Sequence, residues 1–199
     1  MLVYENKSKK IKAFALDREH WHDFSILFGE RGACGGCWCM NWRLKKSDFE
    51  VQKGKENQLA MRRLVESGEP VGILLYVDGS PVGWCAVAPR KQLIRLTYSR
   101  VFKQLDDLPV WSITCFFIAK THRRMGLSAE LIQAAVRYGM LQGAPIIEAY
   151  PEYPYDSNVP DAFLWKGVPS VFRRAGFTET VRHSKWKLMM RYIVDETSI

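Results

Sequence analysis

Residues 110 to 119 read VWSITCFFIA, ten positions in which only Ser112 and Thr114 carry a polar side chain. A run this apolar, and this rich in aromatic and β-branched residues, predicts a strand covered on both faces. The chain then turns through KTHRRMG into LSAELIQAAVRYGMLQG, where Leu127, Leu131, Ala135 and Tyr138, flanked by Ile132, Val136 and Met140, form a broad apolar stripe at helical spacing. Gly143 is placed to end that helix at its C′ position. A second apolar run, APIIEAYP, follows at once. Strand, helix and strand in this order predict two parallel neighbours joined by a right-handed crossover, so the unit fixes the centre of the fold.

The remaining segments decorate that centre. After a lysine-rich lead, IKAFALD reads as a first strand and REHWHDFSILFGE as an aromatic helix. The polar stretch LKKSDFEVQKGKEN, residues 44 to 57, reads as a loop or partly ordered insertion. A short amphipathic helix is predicted at QLAMRRLVESG, then a hairpin over PVGILLYVDGSPVGWCAVAPR turning at DGSP. KQLIRLTYSRVFKQLDDLP reads as a loop with a short helical turn. VPSVFRRAG suits a short helix, and FTETV with KWKLMMRYIV a last pair of strands. The expected organisation is one domain spanning 1–199, with a Cys/Trp-rich segment and polar insertion at about 32–57. A length of 199 residues and a balance of 47% hydrophobic to 25% charged suit that reading and argue against wholesale disorder.

No run approaches the roughly 18 to 20 apolar residues a membrane span needs, and MLVYENKSKK lacks an apolar segment followed by a cleavage site. A cytoplasmic protein without a membrane partner is expected. Five cysteines then point to reduced thiols rather than a disulfide framework. The formal charge of +8 invites nucleic acid, but the cations are spread along the chain, so nucleic acid is not expected as a partner.

Some of those cations concentrate at one turn. Lys120, Arg123, Arg124, Met125, Gly126, Leu127 and Ser128 lead from the buried strand into the helix. A helix start offers unpaired N–H groups and partial positive charge to an anion, and Gly126 would let the backbone come close. On this segment alone, solvated surface cations explain the run equally well.

FFIAKTHRRMGLSAELI resembles the acetyl-CoA signature of the GCN5-related N-acetyltransferase (GNAT) family, R/Q-x-x-G-x-G/A after a strand. Arg123 stands at its first position, Gly126 at its fourth and Ser128 where glycine or alanine is commoner. VFRRAGF, residues 171 to 177, resembles the short helix and glycine-phenylalanine turn that close the family's cofactor cleft. The order of elements over roughly residues 11 to 193 agrees. The resemblance implies an α+β acyl-CoA N-acyltransferase (GNAT) fold, a mixed central sheet flanked by helices with splayed central strands. It implies acetyl-CoA as co-substrate and no metal. The pyrophosphate would lie on Arg124 to Ser128, and the pantetheine arm on Phe117, Ile118 and Ala119. The reaction implied is direct acetyl transfer to an amine of a small molecule or peptide.

Two family positions depart from the pattern. Phe172 stands where many members carry a tyrosine acid, and Ser112 where some carry a glutamate base, so neither role carries over. Glu148 and Tyr150, two apart on the second buried strand, share a face and are the candidate catalytic pair, with Tyr153 and Tyr155 nearby. Against this, Glu148 could be ion-paired and the tyrosines could simply pack.

GACGGCWCMNWR, residues 32 to 43, sets Cys34, Cys37 and Cys39 among two tryptophans and three glycines. A structural zinc site wants four ligands, and the segment supplies three. Redox chemistry through Cys34 and Cys37 lacks a thioredoxin-like strand before it. In the resembled fold this loop borders the acceptor, so Cys37, Trp38, Cys39 and Trp42, with Asn41 and Arg43, are the expected acceptor wall; plain core packing is the alternative. Two rival functions stay open: a coenzyme A-binding relative without efficient turnover, and a zinc-stabilised nucleic-acid-binding module.

Overall fold

The computed structural model of the chain describes residues 1–154, 156 and 164–194. Its strands are β1 (Leu2–Asn6), β2 (Ile11–Ala15), β3 (Ile73–Val77), β4 (Ser80–Pro89), β5 (Val110–Ile118), β6 (Ile146–Ala149), β7 (Thr178–Arg182) and β8 (Leu188–Ile193). They form one sheet in the order β1-β2-β3-β4-β5-β6-β8-β7. Only β5 and β6 run parallel; the other neighbours pair antiparallel. The helices are α1 (Trp21–Phe28), α2 (Lys46–Val51), α3 (Lys55–Glu66), α4 (Ile94–Thr97), α5 (Leu127–Leu141) and α6 (Pro169–Arg174).

Alternation along the strands sorts the core into two layers. Ile73, Leu75, Val87, Ile113 and Phe116 join the cluster beneath α5, with Leu131, Ile132 and Ala135. Leu74, Tyr76, Trp84 and Ala86 face the other way and pack with Phe24 and Phe28 of α1, Met61 and Val65 of α3, and Trp38 and Cys39. A sheet buried on both faces explains why β3 and β4 read as continuous apolar runs although their pairing is antiparallel. Their hairpin turns on Asp78 and Gly79, both at positive φ (47° and 81°), the conformation a two-residue type I′ turn requires.

The predicted β-α-β unit is present, with β5 and β6 in register from Val110↔Ile146 to Ile113↔Ala149. There the pairing stops. On one side, Thr114 is an extra residue in β5, between Ile113 opposite Val87 and Cys115 opposite Ala86, and such a bulge bends its strand. On the other, Pro151 follows β6 after a single residue, and a proline has no N–H with which to extend a ladder. β5 therefore runs on to Ile118 with no strand on its β6 side among the described residues.

Two expectations are corrected. The lysine-rich lead contains β1, whose Val3 is buried and whose Tyr4 reaches α5. The polar insertion at 44–57 is largely helical: α2 docks through buried Phe49, and α3 begins at Lys55 rather than at Gln58. Isolated apolar residues in charged surroundings gave too weak a periodicity to reveal either. The described residues contain no helix long and apolar enough to cross a membrane.

Glu130 of α5 fastens β1. It accepts from Tyr4 Oη at 2.7 Å and from Lys9 Nζ at 2.7 Å, with Asn6 Nδ2 at 3.4 Å. Burial pushes its pKa up, but these donors outweigh burial and hold the carboxyl below its ordinary value. Glu130→Ala is expected to cost about 1–3 kcal/mol, because Tyr4, Asn6 and Lys9 lose their shared charged acceptor and Tyr4 Oη keeps only Gln133 Oε1, at 3.0 Å. Urea unfolding of the two proteins should show the gap above pH of about 4.3 and its loss as the pH falls further, since the native carboxylate is then neutralised.

Candidate active site

The parting of β5 from β6 opens a cavity of about 470 Å³, within the range typical of small-molecule sites. Phe116, Phe117 and Ile118 of β5 form one wall, Phe28, Cys34, Cys37, Cys39, Asn41, Trp42 and Phe49 a second, and Leu164, Trp165, Gly167, Val168 and Val171 a third. Arg123, Arg124 and Ser128 stand at one end. The lining is otherwise mostly apolar.

At that end the chain enters α5 through Gly126, at φ +76°, with no side-chain cap on the helix. A Cβ at Gly126 would touch nothing within 4 Å, so glycine is demanded by the backbone conformation rather than by space. The N–H groups of Met125, Gly126, Leu127 and Ser128 have no hydrogen-bond partner among the described residues. Unpaired amides at the head of a 15-residue helix, beside arginines, are an arrangement whose partial positive charge favours an anion. Arg123 Nε also donates to the Ile118 carbonyl at 3.1 Å, tying the turn to the end of β5.

The free edge of β5 is partly used. Phe116 N–H donates to the Trp165 carbonyl at 2.6 Å, so the loop before α6 closes on the strand at one point. By the alternation of a strand, Ile118 N–H faces the same way. Ala119 N–H instead bonds Val82 O at 2.9 Å, which turns it toward β4. Of the three residues expected to meet the pantetheine arm, Phe117 and Ile118 line the cavity and Ala119 does not.

The Cys/Trp loop is shaped by close backbone contacts. A Cβ on Gly36, at φ +70°, would lie 2.4 Å from Gly54 N, and the Gly36 carbonyl accepts from Gly54 N at 2.9 Å and Asn57 Nδ2 at 3.1 Å. Trp38 and Cys39 both adopt positive φ (45° and 60°), a conformation that costs non-glycine residues about 1–3 kcal/mol each. This double turn sends Trp38 into the core, stacked on Phe28 at 5.7 Å, rather than onto the acceptor wall where the sequence placed it. Cys37, Cys39 and Trp42 do line the cavity. Arg95 and Lys166 sit over the Trp42 ring at 5.9 and 5.8 Å, so its faces already hold cations.

Glu148 and Tyr150 meet as their spacing predicted, Tyr150 Oη donating to Glu148 Oε2 at 2.6 Å. Both are buried, and neither lines the cavity; Tyr150 lies behind Trp42, ring centroids 6.5 Å apart. Arg90 Nη1 donates to Glu148 Oε2 at 3.0 Å, Arg191 Nε to Oε1 at 2.8 Å, and Ser112 Oγ lies 2.9 Å from Tyr150 Oη. Burial, then the Glu148 charge, pushes the Tyr150 pKa up, so it stays a phenol and a donor. Ser112 is the register partner of Glu148, which puts the carboxylate one strand over from the family's base position. Phe172 is fully buried, edge-on to Phe116 and Phe177. Tyr155 lies outside the described residues.

Sequence reasoning missed several lining residues: Phe28, Phe49, Cys115, Trp165 and Val171. Cys115 lies inside the apolar run of β5 and lines the cavity as well. Arg90 and Arg191 were missed too. A lone Glu in IIEA and a lone Arg in LMMRYI, each inside an apolar strand, were the available signal. Among the described residues, the one group of three potential metal-ligand atoms within 4.8 Å of one another is Asp17, Glu19 and His20, with no cysteine in it.

Residues 38–160 match the family model of the acetyltransferase (GNAT) family. No curated protein matches the chain in sequence. A GNAT-family acetyltransferase from Listeria monocytogenes 4b F2365 superposes with a TM-score of 0.54 at 13% identity, covering 92% of this chain and 95% of that one. One from Streptococcus agalactiae 2603 gives 0.54 at 12%, covering 94% and 96%. An uncharacterized protein from Bacillus halodurans gives 0.53 at 16%, covering 97% and 89%. These likenesses speak for the fold.

Glu148 holds two buried guanidinium groups, so Glu148→Ala is expected to lower stability by about 3–5 kcal/mol. A shift of the urea midpoint well below that size would show that Arg90 and Arg191 find other partners.

Proposed function

The chain belongs to the acetyltransferase (GNAT) family, and from that membership we propose that it carries an acetyl group from acetyl-CoA to the nitrogen of an amine, on a small molecule or a peptide. The observation that carries the reading is the set of unpartnered amides from Met125 to Ser128 at the end of a mostly apolar cavity. Acetyl-CoA fits these donors: a diphosphate suits the amides and arginines, and an amide-bearing arm suits the open edge of β5 beyond Phe116. Bound there, acetyl-CoA supplies an activated acyl thioester.

The protein's part follows from its surfaces. Arg123 and Arg124 with the α5 N-terminus hold the diphosphate, Ser128 keeping the approach open. Phe117 and Ile118 flank the arm. Cys37, Cys39, Asn41 and Trp42 border the acceptor. An amine must be neutral to attack a carbonyl, and a pocket walled by Phe28, Phe49, Phe116 and Phe117, with arginines at one end, disfavours the ammonium form. Glu148 and Tyr150 serve in this reading as positioning residues, bracing Trp42 and the point where the strands part. A second reading, coenzyme A binding with little turnover, is favoured by Phe172 in its fully buried aromatic packing.

Thiol release from acetyl-CoA over a panel of amines separates the two readings: release with any amine supports transfer, and binding without release supports the second. Gly126→Val should weaken acetyl-CoA binding about tenfold or more, because a β-branched residue resists left-handed backbone by about 1–2 kcal/mol. Calorimetry measures it, and an unchanged affinity would contradict the site. Tyr150→Phe should change turnover only a few-fold, whereas a loss of about 10²–10⁴-fold would make Tyr150 a proton-transfer catalyst.

A further inference from the structure

Among the described residues that line the cavity there is no Asp or Glu. Arg123 and Arg124 stand at the diphosphate end, and the acceptor end has a cation of its own behind the wall. Arg95 of α4 is tied to the Cys/Trp loop at two points. Its backbone N–H donates to the Trp42 carbonyl at 3.1 Å, and its Nη1 donates to the Asn41 carbonyl at 3.2 Å and to Asn41 Oδ1. Arg95 has no ion-pair partner among the described residues, whereas Lys166, the other cation beside Trp42, is paired with Glu152 at 2.5 Å. A guanidinium carries donors only, so it must face the oxygen of the Asn41 amide. That fixes the side chain of Asn41, a lining residue, and leaves both N–H bonds of its Nδ2 without a partner among the described residues. The indole N–H of Trp42, next in the chain and on the same wall, also lacks one. The Trp42 ring, with Arg95 and Lys166 at 5.9 and 5.8 Å from its centroid, is not free to hold the acceptor's ammonium.

We infer that the acceptor is an amine that also carries a carboxylate, an amino acid with an apolar side chain, and that Asn41 Nδ2, positioned by Arg95, donates to that carboxylate. This deepens the proposed function and rests on it. Free donors beside a guanidinium without a counter-charge favour an anion, and hydrogen bonds to charged groups are the stronger kind. Phe28, Phe49 and Trp165 offer the apolar body of the acceptor its surface. A polyamine would bring further positive charge to Arg95, with no described carboxylate on the wall to offset it. An amino acid brings its own. In the transfer the neutral amine nitrogen bonds to the acetyl carbonyl carbon and the carbon–sulfur bond to coenzyme A breaks. The proton lost by the nitrogen leaves coenzyme A as the free thiol, and the acceptor's carboxylate takes no part in the bonds made or broken. Asn41 therefore selects the acceptor, and Arg95 is a positioning residue that acts through Asn41.

The test follows thiol release from acetyl-CoA with two pairs of acceptors, phenylalanine against phenethylamine and leucine against isopentylamine, with rates expressed per neutral amine. Calorimetry of phenylalanine and of phenethylamine on the protein loaded with coenzyme A runs in parallel. Phenylalanine and leucine should exceed their partners in kcat/KM by about 10-fold to 100-fold, the worth of a hydrogen bond to a charged group. Asn41→Asp puts a like charge of nearly the same shape in place of the donor and should shrink that ratio about tenfold or more. Arg95→Gln should shrink it through KM, with kcat little changed. A merely structural fault in either variant would lower both members of a pair alike and leave the ratio standing. Equal or better use of the amines that lack a carboxylate, or a ratio unmoved by both variants, would overturn the inference and leave the transferase reading intact. Absence of release with every acceptor would count against that reading, and calorimetry then decides the inference alone: tighter binding of phenylalanine supports it, and equal or weaker binding overturns it.

Discussion

Everything in the site follows from where β5 and β6 stop pairing. Four residue pairs hold the two parallel strands together, and then a bulge at Thr114 and a proline at 151 drive them apart. The energetic cost of that opening is a strand edge deprived of partners. Trp165 answers part of it with one carbonyl, and Arg123 another part with its guanidinium. What is left over, the Ile118 N–H and the amides of the following turn, is what a ligand rich in amide and phosphate groups can satisfy.

The opening is held rather than floppy because charge is locked beneath it. Glu148 sits next to the last paired residue of β6 and is gripped by Arg90 from the end of β4 and Arg191 from β8. Asp106 continues the chain by accepting from Arg191 Nη1. Such an arrangement is a modest source of net stability, since both charges are desolvated, but it strongly penalises any other register of the three strands. Above it, Tyr150 and Trp42 carry the rigidity up to the cavity wall. The sheet's second face gives the wall its other character: Phe24, Phe28, Trp38 and Trp84 pack into a dense aromatic layer beside which Cys37 and Cys39 line the cavity.

Much of this was legible in the sequence, for reasons that can be named. VWSITCFFIA, the α5 stripe and APIIEAYP are long, strongly patterned segments, and Gly126 before a helix start is a local signal with a local cause, so the β-α-β unit and its turn were readable. The Glu148–Tyr150 contact followed from strand periodicity alone. β1 and α2 were not readable, because each buries only one or two side chains and its stability comes from docking. Trp38 was misplaced, and Cys115 missed, for a different reason: which face a residue takes depended on two left-handed residues and a bulge, single-residue events that no periodicity announces. The partners of Glu148 come from 58 and 43 residues away in sequence, and such long-range pairing leaves only the faint mark of a lone charge in an apolar strand.

The central claim is that the amides past the strand parting are donors waiting for a ligand. Residue-resolved amide hydrogen exchange with and without acetyl-CoA reads those atoms directly. The account predicts that Ile118 and the amides of Met125 to Ser128 slow markedly on addition while those of β1 and β2 do not change. Exchange at these positions indifferent to saturating acetyl-CoA would contradict it.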